Sequence, residues 1–299
     1  MESWLLKTHL VTKEVFMKTS LAVRKLVGVA VLWLSGVLAS GPAVAASSTW
    51  DSIVERGTVR IGVIPARPPY FWQEDGKWVG FSAVMGEDLA KALTKKLGKN
   101  IKVDFVVTSF TTVILDLQAD KVDAFFGLSF SEERKKAVHL SGPLYSLPSV
   151  VLKAKGFEIG DKWADFNKPD IKVAVVMGTT DEQVARQLLP NAQIRALKGM
   201  GEAVLDIQSR NSSAMVTTVL TGLGALKANK SLGSMAVLQP TNNAPSFGGT
   251  RRDGDDRFAN CLQEWTLAYR ADGSAKRVIF DAMEKFGLDT SQLPSAVQF

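Results

Sequence analysis

Short β-branched runs alternate with helix-period segments between residues 58 and 126, and the same alternation restarts at residue 171. Thr58-Val59-Arg60-Ile61-Gly62-Val63-Ile64 reads as a strand entering a proline-rich turn at residues 65–69. Glu74-Asp75-Gly76-Lys77 is a tight-turn signal between Tyr70-Phe71-Trp72 and Trp78-Val79-Gly80-Phe81, which predicts a hairpin. Over residues 86–97 the apolar Leu89, Ala90, Leu93 and Leu97 recur at helical spacing, with Gly98 as the stop. A strand at 101–107, a short helix at 113–119 and a strand at 122–126 follow. The order strand, helix, strand, helix, strand predicts a largely parallel sheet flanked by helices.

The second unit opens with the buried-strand pattern Ile171-Lys172-Val173-Ala174-Val175-Val176, which runs into Met177-Gly178-Thr179-Thr180-Asp181-Glu182. Thr179 with Glu182 three residues later is a capping-box signature for a helix at 183–189, ended by Pro190. A strand at 194–197, a helix at 201–208 and a strand at 213–216 complete the repeat. Two α/β lobes with a cleft between them are expected, with ligands at the carboxyl ends of the strands.

Two segments carry binding chemistry. Gly127-Leu128-Ser129-Phe130-Ser131-Glu132-Glu133-Arg134 follows an apolar strand-like run and delivers a glycine, a hydroxyl and a guanidinium together. That set suits a carboxylate: glycine leaves its backbone open, Ser129 adds a donor, and Arg134 offers a planar two-pronged fork. The same residues also read as the solvated first turn of a helix at 132–136. The helix start at Thr179 and Thr180 exposes unpaired N–H groups that attract anions; the simpler alternative is that Thr179 only caps its helix.

Composition narrows the class. Lys18, Arg24 and Lys25 precede an apolar run at 26–39, and Ala43-Val44-Ala45 has the spacing a signal peptidase reads. Residues 1–45 are therefore expected to be a cleavable signal peptide, with 1–16 an upstream extension, and the rest exported. Cleavage after Ala45 removes five Lys/Arg and two acids, leaving 31 against 28, a net +3. So mild a balance argues against a nucleic-acid surface. Cys261, the single cysteine, stands in an apolar stretch and reads as a small core residue. No ligand-spaced His/Cys cluster and no glycine-rich phosphate loop occurs, so no metal or covalent cofactor is indicated.

The order of motifs resembles the periplasmic amino-acid-binding proteins of ABC importers, the extracellular solute-binding family that includes the histidine, lysine-arginine-ornithine, glutamine and glutamate/aspartate receptors. The resemblance rests on Pro68-Pro69-Tyr70 then Gly80-Phe81, Phe110 followed by Lys121-Val122-Asp123-Ala124, the 127–134 segment, Ser141-Gly142-Pro143-Leu144-Tyr145, and residues 173–180. It implies an α/β, two-lobed periplasmic-binding-protein fold of type II, with crossover hinge strands near 144–148 and 242–246. Residues 46–145 and 244–299 would form lobe 1, and 146–243 lobe 2. It further implies that Arg134 grips a ligand α-carboxylate, Ser129 donates to it, and Gly127 offers its carbonyl to the ammonium. Thr179 and Thr180 would close from lobe 2, Phe110 would pack on the ligand, and Tyr70 would join the site. A monomeric, non-catalytic receptor in the periplasm is implied, delivering a small carboxylate to an inner-membrane permease.

The pattern departs from the family in the second half of the site. Thr218 stands where relatives carry an ammonium-binding aspartate, Ile64 where an acid is frequent, and Arg67 where an aromatic is usual. Thr218 could accept an ammonium without charge, Arg67 could receive a second carboxylate, or Arg67 could point to solvent. A cyclohexadienyl dehydratase-type enzyme shares the fold, yet His139 reads as a strand residue, and Glu132 and Glu133 as solvated.

Overall fold

The computed structural model describes residues 47–299, so the signal-peptide reading of 1–45 lies outside the described residues. Helix α1 (Thr49–Arg56) is capped by the Ser48 hydroxyl, which accepts from the Asp51 N–H, and ends at Gly57 in the left-handed region. Strand β1 (Thr58–Val63) leads to the hairpin β2 (Trp72–Glu74) and β3 (Lys77–Val79). Helix α2 (Phe81–Leu97), β4 (Lys102–Val107), α3 (Val113–Gln118) and β5 (Ala124–Ser129) follow. Helix α2 begins five residues earlier than its apolar spacing predicts. Gly80, at φ 109°, turns the chain from β3 into this helix at a point so close to the Tyr70 carbonyl that a Cβ would overlap it.

Strand β1 pairs in parallel with β4 and β5, as the alternation requires. The sheet is then made mixed by β6 (Val138–Ala154), which follows the short α4 (Glu132–Ala137) and is 17 residues long. The second unit adds α5 (Trp163–Phe166), β7 (Lys172–Val176), α6 (Thr180–Leu188), β8 (Gln193–Leu197), α7 (Met200–Gln208), β9 (Ala214–Thr218), α8 (Val219–Ala228) and β10 (Leu232–Val237). Strand β11 (Asn243–Arg251) returns, and helices α9 (Asp256–Ala271) and α10 (Ser274–Lys285) close the fold.

The strand order is β4-β1-β5-β11-β6-β9-β7-β8, with β10 on the other flank of β6. The first part of β6 pairs antiparallel with β11, from Val138–Arg251 to Pro148–Asn243. From Ser149 on it pairs with β9, and from Val150 with β10. The chain thus changes partner strands at Leu147–Ser149, and one strand serves two lobes. The expectation of a largely parallel sheet fails here for a topological reason: strands that cross and return between lobes must run against their neighbours.

Each lobe has its own core. In lobe 1, Phe81, Met85, Leu89 and Leu93 of α2 pack on Ile61, while Val113, Leu117 and Leu128 cover the opposite face. In lobe 2, Val173 and Val175 face Trp163 and Phe166, and Ala174 and Val176 face Val204 and Ile207, the period-2 alternation of a strand covered on both sides. Asp123, fully buried, accepts from the Arg60 N–H at 2.7 Å, from the Arg60 side chain and from Arg56 at 2.7 Å. The KVDA motif is therefore an internal tie at the end of the strands away from the cleft. His139 lies in β6 with Nε2 3.4 Å from Asp256, and Cys261 is buried in α9.

Candidate functional site

The two lobes meet at the carboxyl ends of β5, β7 and β9, around a cavity of about 30 Å³. Two glycines permit the approach. Gly178, at φ 77°, lies against the Phe110 backbone, where a Cβ would stand 2.8 Å from the Phe110 carbonyl oxygen. At Gly224 a Cβ would overlap the Pro68 carbonyl.

Arg134 is the axis of the site. It sits in the first turn of α4, where the Ser131 hydroxyl caps its N–H, and it is buried. Its guanidinium donates to the Ser129 carbonyl at 2.9 Å and across the cleft to the Gly178 carbonyl at 3.0 Å. Burial draws this guanidinium below its ordinary pKa, and the carboxylates of Asp181 and Glu133 oppose that. Of the two readings of the 132–136 segment, the solvated turn holds for Glu132, Glu133, Lys135 and Lys136, which are exposed, and fails for Arg134.

Gly127 and Ser129 line the same cavity. Phe247 pairs with Leu128 and Gly248 with Phe126, which leaves Gly127 as the extra residue of a bulge at φ 105°, a conformation that favours glycine. Behind it the Tyr145 hydroxyl is buried without a hydrogen-bond partner among the described residues, and burial pushes that phenol well above its ordinary pKa.

Across the cleft, Thr179 caps α6. Its hydroxyl accepts from the Glu182 N–H at 3.2 Å and donates to the Val176 carbonyl at 2.7 Å. Glu182 reaches Gly178 N–H rather than Thr179 N–H, so the capping box is offset by one residue because Thr179 N–H bonds Val176. The Thr179 hydroxyl is thereby committed to its own backbone. What remains to meet an anion is the backbone N–H of Thr180 and Asp181, which belong to the first turn and have no intrahelical acceptor.

Arg67 enters the cleft and does not point to solvent. Its guanidinium carbon lies 3.7 Å from the Tyr70 ring centroid and 4.7 Å from that of Phe110, and it donates to the Thr221 hydroxyl at 3.2 Å. Tyr70 does not itself line the cavity: its ring supports Arg67 and its hydroxyl lies 3.4 Å from that of Thr218. Thr218 and Thr221, one turn apart at the start of α8, share a hydroxyl contact of 3.0 Å. A larger space of about 320 Å³ adjoins, and Arg67, Met200 and Thr221 line both.

Sequence reasoning missed Asp181, Thr221 and Met200. Thr221 was detectable as the i+3 partner of Thr218 on a helix start, whereas Asp181 resembles any dipole-favoured acid of a first turn. In the structure Asp181 is buried in the cavity wall, and burial raises its carboxyl to about 6 from 3.8 although Arg67 and Arg134 pull it down.

The model of the bacterial extracellular solute-binding proteins, family 3, matches residues 59–280. The chain belongs to that family. This family 3 chain is 25% identical over 245 residues to the L-cystine-binding protein TcyJ of Escherichia coli (strain K12), covering 81% of this chain and 87% of that one. It is 30% identical over 188 residues to the ABC transporter glutamine-binding protein GlnH of Bacillus subtilis (strain 168), covering 62% and 67%. Among solved structures, the ancestral amino acid-binding protein AncCDT-1, a precursor of cyclohexadienyl dehydratase, is 31% identical with a TM-score of 0.67, over 80% of this chain and 99% of that one. The two-lobed fold is thus that of the family's amino-acid-binding structures.

Proposed function

We propose that this family 3 protein is a periplasmic solute receptor of an ABC importer, closing on a small carboxylate, an amino acid or close analogue, and delivering it to an inner-membrane permease. The observation that carries this reading is Arg134: a buried guanidinium bonded to both lobes and facing the unpaired N–H groups at the start of α6. A carboxylate placed there meets a fork on one side and a helix terminus on the other. Ser129 adds a donor to it, the Gly127 carbonyl and the Thr218 hydroxyl accept from an ammonium, and Phe110 packs on the remainder. Residues 46–145 and 244–299 act as lobe 1 and 146–243 as lobe 2. The receptor works as a monomer, exported by the signal peptide at 1–45.

A second reading is favoured by the direction of Arg67. With no acid at Thr218 and a second guanidinium in the cleft, the site suits a ligand that carries two carboxylates. A displaced Arg67 side chain would also join the small cavity to the larger one, giving room for such a ligand.

Calorimetry or thermal-shift screening against amino acids, dicarboxylates and keto acids tests both readings. Arg134→Ala should abolish measurable binding of the ligand found; unchanged affinity would remove the carboxylate-fork assignment. Binding without turnover is the role proposed, so conversion of prephenate or arogenate by the purified protein would overturn it.

A further inference from the structure

Asp181 is an acid inside the cavity that the fork-and-helix arrangement leaves unused. It is the second residue of α6, 8% exposed, and it takes no part in the capping bonds that Thr179 and Glu182 make around it. The charged groups around it come from every side of the cleft. Arg67 faces it from the β1–β2 connection and Arg134 from α4. Glu133 on α4 is tied to the Gln183 side chain, and Glu182 to Gly178 N–H and Arg186. Tyr70 lies beneath Arg67. The walls from α7, β9 and α8 contribute Met200, Thr217, Thr218 and Thr221, none of them charged.

Two guanidiniums and one carboxylate leave the cavity with a single net positive charge. A zwitterionic amino acid, which brings an ammonium with its carboxylate, adds no net charge and leaves that balance unchanged. A dicarboxylate brings two negative charges and no cation, which turns the balance to one net negative charge beside Asp181. One negative charge brought within about 5 Å displaces a neighbouring carboxyl by about two pH units at an effective dielectric of about 20. Asp181, already held high by its burial, would then be protonated at neutral pH.

We propose that Asp181 is a ligand-discriminating residue that takes up one proton from solvent as a dicarboxylate closes the cleft, its carboxyl then donating a hydrogen bond to the ligand instead of repelling it. The inference rests on the reading that Arg134 and Arg67 each receive a carboxylate. It makes the site selective by proton count: a dicarboxylate binds with a proton, a zwitterionic amino acid without one.

Calorimetric titration with 2-oxoglutarate and succinate at pH 7.0, in buffers of small and large ionisation heat, counts the protons directly. The expected result is uptake of most of one proton per diacid bound, with affinity about tenfold tighter at pH 6.5 than at pH 8. Asp181→Asn should show no uptake and a flat pH profile, while L-glutamine, if it binds, should show none with the parent protein. Diacid binding without uptake by the parent protein, or uptake retained in Asp181→Asn, overturns the proposal and leaves the two-carboxylate reading standing. If neither diacid binds, that reading fails and the proposal with it.

Discussion

The guanidinium of Arg67 lies 3.7 Å from the ring centroid of Tyr70 and 4.7 Å from that of Phe110. An arginine of the protein itself therefore fills an aromatic slot at the wall of the cleft. The Arg67 Nε is buried without a hydrogen-bond partner among the described residues, so the rings and Thr221 hold the side chain while part of its donor capacity stays unspent.

Arg67→Ala should therefore act on specificity. Diacids should lose about tenfold in affinity, ~1.4 kcal/mol, while monocarboxylates change less than threefold. The vacated slot should also give L-arginine measurable binding, since the same two rings can stack on a ligand guanidinium. Calorimetry of parent and variant against both acid classes checks this. Equal losses for monoacids and diacids would remove the second-carboxylate role of Arg67.

Gly178 couples backbone conformation to closure. A side chain at φ 77° is strained in any state by ~1 kcal/mol, and in the closed cleft its Cβ would press on the Phe110 carbonyl. Gly178→Ala should lower unfolding stability by ~1 kcal/mol and weaken ligand binding by a further factor of about ten. Urea titration and calorimetry together separate the two. A variant with the expected stability loss but parental affinity would show that closure does not require this approach.

How much of this was legible in the sequence differs by residue. Alternating Val173, Ala174, Val175 and Val176 marked a strand because side-chain period is a local property. Arg134, Ser129 and Gly127 fall on one cavity because a strand end and the next helix turn keep their residues together in space. Arg67 was ambiguous because its nearest ring, Tyr70 in the same connection, does not by itself tell cleft from solvent, and Phe110, the second ring, comes from the distant connection after β4. Asp181 was hidden for a related reason. First-turn acids are ordinarily solvated, and only closure of the other lobe over α6 removes this one from water. The length of β6 was likewise set by partner strands far away in the chain.

Asp123 supports the frame without touching the site. Its carboxylate is the shared acceptor for Arg56 and Arg60, with no solvent exposure, so removing it strands two guanidiniums at the base of β1. Asp123→Ala should cost ~3 kcal/mol in urea unfolding. Ligand affinity of the folded fraction should stay within about twofold, because the tie lies at the strand ends opposite the cavity. A stability loss below ~1 kcal/mol would mean that Asp120, also bonded to Arg60 at 2.6 Å, suffices.

Asp181 should leave a mark on stability even without ligand. Its carboxyl is raised from 3.8 to about 6 by burial, so between those values the folded protein holds a proton that the unfolded chain has released. The stabilisation is fully present below the unfolded value and is lost as pH rises through about 6, a total of ~3 kcal/mol. Part of that loss has already occurred at pH 5, so ~1–2 kcal/mol remains to be lost between pH 5 and pH 8. Asp181→Asn has no such proton to lose. Its advantage over the parent protein should therefore grow by that amount across the same window, whatever the asparagine costs in packing, and groups such as His139 cancel in the comparison. Urea unfolding of both proteins at pH 5 and pH 8 measures it. A difference that stays constant would show that Asp181 is ionised at its ordinary pKa in the folded cleft, with the two arginines outweighing burial.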